Sequence, residues 1–270
     1  MFVIARMQST LRSTWREWRT SLIVGACLLL GGNGGVTLSE KYIDSGLAAV
    51  IVATVPIYIA LLSWLTGMAP RPKPIVGVGL VGGFVGVAIL LAPALRFSSL
   101  NGTHAAIGMS ILLLSSLIWS GGSLYSSANQ NSGSPFLAAA QQMVCGGTLL
   151  ISVGLITGEA PKFHPSAISS LSLGAFIYLV LIGAIIGYFS YAWLLRHCDP
   201  AKVATYAYVN PIVAVLLGAM FAGEVLTART MMAAALIIGS VALVITAQQF
   251  QPKVKATVLP AVVPETGCAR

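Results

Sequence analysis

The chain has 270 residues, of which 57% are hydrophobic and 8% charged, with a mean hydropathy of +0.89. Soluble domains carry about 25% charged residues, so a water-soluble globular fold is excluded and an all-α integral membrane protein is expected. The net charge of +8 does not mark a nucleic-acid partner, because the basic residues lie between apolar runs and at the chain ends, as in loops beside membrane helices.

Residues 1–20 form a basic segment with Arg6, Arg12, Arg16 and Arg19 against Glu17. Val24 to Cys27 loosely resembles a lipoprotein cleavage box. The apolar stretch before Cys27 is short for a signal sequence, however, and the run continues well past it. Eight apolar runs follow, at roughly 21–38, 46–66, 75–95, 105–126, 135–157, 171–194, 203–222 and 230–249. Each is near the ~20 residues with which a helix crosses a hydrocarbon core. Polar or proline-bearing joints separate them, among them Arg71 to Pro74, Asn129 to Ser134 and Glu159 to Pro165. The tail, 250–270, has no helical pattern and is expected to be flexible.

The four cysteines stand far apart, and His104, His164 and His197 stand alone. Neither a disulfide framework, a metal site nor a cofactor is expected. Gly77-Val78-Gly79-Leu80-Val81-Gly82 spells out a dinucleotide fingerprint, yet no acidic residue occurs between Asp44 and Glu159, where such a site needs one. Gly79/Gly83 and Gly82/Gly86 instead form overlapping GxxxG pairs for close helix contact.

Of the Lys and Arg residues, 11 fall on the side of the N-terminus and 4 (Lys41, Arg96, Lys162 and Arg229) on the other. The positive-inside rule then places both termini in the cytoplasm of a multi-pass inner-membrane protein.

The stretch from Asp199 to Glu224 organises the rest. It carries no charge from Val203 to Ala222, but Tyr206, Tyr208, Asn210 and Pro211 interrupt it. Polar, proline-broken backbone at membrane depth belongs against protein or a water-filled cavity. A weaker copy lies earlier: Asp44 and Pro56 precede Asp199 and Pro211 by the same 155 residues, and Gly32/Gly187 and Lys41/Arg196 keep that offset. The copies are the second and seventh runs, and an odd separation turns one upside down relative to the other, giving an inverted repeat. Two runs precede the Gly187 helix in its half, whereas only the basic segment precedes the Gly32 helix. The expected organisation is a first repeat of three helices at 21–96 and a second of five at 105–249, about eight helices in all. The chain is expected to be truncated or mis-started by two helices.

Several residues are candidates for chemistry, each with a plainer alternative. Glu40 ends the first run beside Lys41; it is either the carboxylate for proton coupling or half of an interfacial Glu–Lys pair. Asn33 lies between Gly31-Gly32 and Gly34-Gly35, and its amide either binds a solute or joins helices. Tyr206 and Asn210 share a helix face at i, i+4 and are expected to line a cavity, while Tyr208 points elsewhere, into an interfacial aromatic belt. Pro211 removes a backbone donor and is expected to free the Ala207 carbonyl. Trp119, Gln141, Gln142, Tyr188 and Tyr191 are further candidates, with packing as the alternative for each aromatic. Asp44 and Asp199 read as residues at helix starts.

With these residues in place, the chain resembles the EamA-type permeases of the drug/metabolite transporter superfamily. The likeness rests on Gly31-Gly32-Asn33-Gly34, Ser39-Glu40-Lys41, Ala48 to Pro56, Trp119, Thr205 to Pro211 and Gly223-Glu224, and it covers nearly the whole chain. It implies a ten-helix fold of two inverted five-helix repeats, of which this chain lacks the first two helices, and the movement of small organic metabolites or drugs by alternating access. Pro56, Pro211 and Glu224 take structural roles under it, Glu224 by capping the following helix.

The expected function is therefore a secondary transporter, an exporter, that is not an enzyme. Asn33, Trp119, Gln141, Tyr188, Tyr206 and Asn210 are expected to bind the solute. The expected partners are that solute, protons through Glu40, the lipid bilayer and a second copy in a homodimer. Two alternatives stay open: a truncated, inactive or partner-dependent permease fragment, and an intramembrane enzyme acting on a lipid-linked substrate.

Overall fold

The structure, a computed structural model, describes residues 14–43, 45–97, 103–129, 134–162, 164, 168–221 and 227–249. Asp44, Glu224, the sequence before Thr14 and the tail lie outside them. The main elements are α1 (Trp15–Ser39), α2 (Ser45–Val52), α3 (Val55–Leu65), α4 (Pro74–Phe97), α5 (Thr103–Ala128), α6 (Pro135–Ile156), α7 (Ser170–His197), α8 (Pro200–Ala204), α9 (Tyr206–Phe221) and α10 (Ala228–Gln249). Each apolar run has become helix, with ends within a few residues of those expected. Helices α1, α5, α6 and α7 are long and apolar enough to cross a membrane, and the chain is an all-α membrane protein.

Local chemistry sets the ends. Thr14 and Glu17 form a reciprocal capping box at the start of α1, satisfying two donors that the helix leaves unpaired. Asp199 accepts the Ala201 N–H at 2.8 Å and caps α8, the helix-start role its sequence indicated.

Two of the eight apolar runs form broken helices. The first breaks at Ala53–Thr54, between α2 and α3, and Pro56 sits in the first turn of α3, where a missing N–H costs nothing. The second breaks at Thr205, between α8 and α9. Pro211 lies inside α9, past the break at Thr205, and the break falls before the Ala207 carbonyl that the proline was expected to free. At both breaks a threonine hydroxyl bonds the carbonyl three residues back: Thr54 to Ile51 at 2.6 Å and Thr205 to Lys202 at 2.7 Å. These side-chain bonds tighten the last turn and compete with the α-helical ladder.

Helices α1 and α7 each widen into a π-helix, at Ala26–Gly34 and Leu179–Gly187. The two segments are 153 residues apart, within two of the sequence offset, so the repeat is visible in backbone geometry. π-turns are uncommon and recur at functional sites.

Small residues bring the helices together. At the α1/α6 crossing a Cβ on Gly25 would fall 2.6 Å from the Gln142 carbonyl oxygen and 2.8 Å from the Gly146 nitrogen, so backbone meets backbone there. Helices α4 and α10 pack along Gly79, Gly82 and Gly86 against Ala233, Ile237, Ser240 and Val244, which is the contact the GxxxG pattern indicated.

Contacts between loops fix the direction of the spans. Lys41 pairs with Glu159 at 3.6 Å, and Tyr42 stacks on His104, so the ends after α1 and α6 and before α5 share one side. Thr20, Asn129, Pro135 and Arg196 meet at the other end. Helices α1 and α7 therefore run in opposite directions.

Candidate functional site: a cavity between the π-segments

The two π-segments flank a cavity of about 830 Å³. Leu29, Asn33 and Thr37 of α1 line one wall; Leu179, Gly183 and Tyr188 of α7 face them; Trp119 of α5, Met143 of α6, and Tyr206 and Asn210 of α9 complete it. The i, i+4 spacing of Tyr206 and Asn210 puts both on the cavity side. The break at Thr205 starts α9 afresh, which aims Tyr206 inward at its first residue. Thr37 donates its hydroxyl to the Asn33 carbonyl at 3.1 Å, leaving the Asn33 amide side chain toward the cavity.

The floor is a hydrogen-bonded aromatic layer. The Trp119 indole N–H donates to the Tyr191 hydroxyl at 3.0 Å, and that oxygen lies 2.6 Å from the Ser123 hydroxyl. The Tyr188 hydroxyl donates to Gln142 Oε1 at 2.9 Å. The Tyr191 ring meets Trp119 and Tyr206 at 5.4 Å between centroids, tilted in one case and edge-on in the other. Such geometries favour aromatic pairs beyond the area they bury. Below the layer is a small polar pocket lined by Thr20, Ser126, Asn129, Gln142 and Arg196. Gln142 thus holds Tyr188 of the layer on one side and lines the small pocket on the other.

Five of the six expected solute-binding residues (Asn33, Trp119, Tyr188, Tyr206 and Asn210) border this one cavity. Gln141 does not. It is 1% exposed in the α1/α6 contact, where Ser21 donates to its Oε1 at 3.4 Å, and its Nε2 has no partner. Neighbouring helix positions point about 100° apart, so Gln142 reaches the layer while Gln141 faces the helix contact. Glu40 ends α1 in an exposed position, three residues beyond the cavity-lining Thr37. Its neighbour Lys41 pairs with Glu159 rather than with Glu40.

Tyr208 corrects an expectation. It is fully buried rather than interfacial, its hydroxyl donates to the Leu80 carbonyl at 3.0 Å, and its ring lies against Gly83. The reason is the missing side chain at Gly83, which opens a slot in α4 that an aromatic ring fills. Sequence reasoning also missed Leu29, Thr37, Met143 and Ser190 as lining residues. Their i, i+4 spacing on α1 was legible once Asn33 was placed, but nothing in the sequence told which face of α6 or α7 turns inward.

A membrane bundle whose counterpart helices run in opposite directions on either side of a cavity has the architecture of a secondary transporter. The model of the EamA-like transporter family matches residues 106–246. The chain is 36% identical over 230 residues to the uncharacterized inner membrane transporter YedA of Escherichia coli K12, covering 85% of this chain and 71% of that one. It is 26% identical to the uncharacterized transporter YvbV of Bacillus subtilis 168, covering 89% and 75%. A protein of known crystal structure shares the fold at a TM-score of 0.71 and 19% identity, covering 91% of this chain and 82% of that one. The chain belongs to the EamA-like transporter family.

Proposed function

We propose that the protein is a secondary transporter that exports a small organic solute across the inner membrane by alternating access, with both termini in the cytoplasm. The cavity beside Asn210 carries this reading. It lies between helices of two repeats, 21–96 and 105–249, that run in opposite directions, and midplane sites between such repeats are where secondary transporters hold their cargo. Asn33, Trp119, Tyr188, Tyr206 and Asn210 hold the solute, and Gln141 supports the helix contact that positions Gln142.

In this arrangement the cavity opens toward the Thr37–Leu179 end, and the layer of Trp119, Tyr188 and Tyr191 closes the other. Rocking of the repeats about the Gly25/Gly146 crossing breaks the Tyr188–Gln142 bond and opens a path into the small pocket by Ser126 and Asn129. Binding energy from the solute is the driving difference between the two states. The sixteen lining residues include no carboxylate, which favours transport over the general acid–base chemistry of an intramembrane enzyme. Proton coupling belongs to the same proposal and acts through Glu40.

Flux in proteoliposomes tests the reading. Asn210→Ala and Tyr206→Phe each lower uptake or efflux several-fold, the effect of losing one uncharged hydrogen bond of about 1 kcal/mol, without lowering the amount of protein in the membrane. Unchanged flux in both removes them from the site. Glu40→Gln abolishes the response to an imposed pH gradient while leaving exchange intact; a full response in that variant removes Glu40 from coupling.

A further inference from the structure

Behind the main cavity, on the far side of Asn33, Trp119 and Tyr206, lies a side pocket of about 80 Å³ bounded by Gly32, Val36, Val52, Val55, Ser115 and Ser116. Asn33, Trp119 and Tyr206 border both spaces. Ser115 spends its hydroxyl on the Ile111 carbonyl at 2.8 Å. Ser116 is 3% exposed, and its hydroxyl has no hydrogen-bond partner. Buried hydroxyls almost always find one, so an orphan on a pocket wall is a place for a ligand atom.

The polar groups of the main cavity divide into two kinds. The hydroxyls of Tyr188 and Tyr191 and the indole N–H of Trp119 are engaged with protein partners and form a fixed apolar wall. Among the described residues, the side-chain polar groups of Asn33, Ser190, Tyr206 and Asn210 have no protein partner. None of the residues lining either space carries a formal charge. An ion entering such a site would shed water without meeting a countercharge, whereas a neutral amide or hydroxyl would exchange its water for these groups.

We infer that the side pocket is a subsite of the solute site, and that the two together select net-neutral solutes with a flat apolar ring and a short uncharged polar arm. The ring lies on the Trp119–Tyr191–Tyr206 wall, and the arm passes Asn33 to reach the Ser116 hydroxyl. The pocket's volume suits a group of a few heavy atoms. This inference rests on the transport reading for its purpose, but not for its test, which measures binding alone.

The test is calorimetric titration of the detergent-solubilised protein with 2-phenylacetamide, phenylacetate and 2-phenylethylamine at pH 7, one ring carrying a neutral, an anionic and a cationic arm. The amide binds at least ~10-fold more tightly than either ion, a gap of about 1.4 kcal/mol. Ser116→Ala weakens the amide several-fold, and Ser116→Val, which fills the pocket, removes its binding. Both variants keep the thermal unfolding midpoint, so the loss is not one of folding. Equal affinity for the three probes, amide binding indifferent to both Ser116 variants, or no saturable binding of any probe overturns the inference. Binding as described, with no flux in vesicles, leaves the subsite standing and removes the transport reading.

Discussion

Tyr206 and Tyr208 are two positions apart in sequence and end in different environments. The i, i+4 rule placed Tyr206 with Asn210, and the structure keeps both on the cavity. The same rule said only that Tyr208 points away. What it meets is decided by Gly83, more than a hundred residues earlier, and no local signal carries that information. Tyr208→Phe therefore loses the bond to Leu80 while the ring still fills its slot. Its expected cost is about 0.5–1.5 kcal/mol of stability, read as a lower unfolding midpoint in detergent with solute binding unchanged. A change in binding with stability intact would move Tyr208 into the site. The adjacent glutamines carry the same lesson: the sequence named both as candidates without separating them, and only the angular step of the helix separates the one bonded to Tyr188 from the one in the helix contact.

At the scale of elements, the eight apolar runs were legible as helices because runs of membrane length are hard to mistake. The breaks were legible only in part. Pro56 and Pro211 announced that two spans are irregular, but the backbone turns at Thr54 and Thr205, where a hydroxyl competes for a carbonyl. The π-segments were not legible at all. Glycines at 31–35 mark a weak helix, while Leu179–Gly187 is mostly aliphatic, buries no residue, and carries no local signal for a π-turn. The aromatic floor follows directly on the second segment, with Tyr188 and Tyr191 at the start of the next α-helical stretch, so the proposed gate is testable as an element. In a cysteine-free background, Ser126→Cys reacts slowly with a membrane-impermeant maleimide. Adding Tyr188→Phe or Gln142→Leu raises that reactivity several-fold and lowers that of Thr37→Cys, because the latch bond of about 1 kcal/mol no longer favours one state. Reactivity that rises at both positions together would show loosening of the bundle rather than a shift between two states.

At the scale of the molecule, the repeat offset of 155 residues foretold that the Gly32 and Gly187 helices are counterparts, and they flank one cavity in opposite directions. The charge count adds an orientation that the bundle itself leaves free. Inside-out vesicles are therefore expected to expose Ser126→Cys, in the open-latch variants, to reagent on the cytoplasmic side, and right-side-out vesicles to expose Thr37→Cys. The reverse pattern would mean that the positive-inside count gives the wrong sidedness. Of the site, the sequence signalled individual polar residues within apolar runs; it could not show that Asn33 and Asn210 share one space, since that depends on how two distant helices cross. Among the five tryptophans, Trp119 is the one whose indole forms the cavity wall, while Trp15, Trp64 and Trp193 are exposed on the outer surface of the bundle. With the other four replaced by phenylalanine, its ultraviolet emission becomes a built-in optical gauge, shifting in colour as the chamber is filled, emptied or turned to face the opposite compartment.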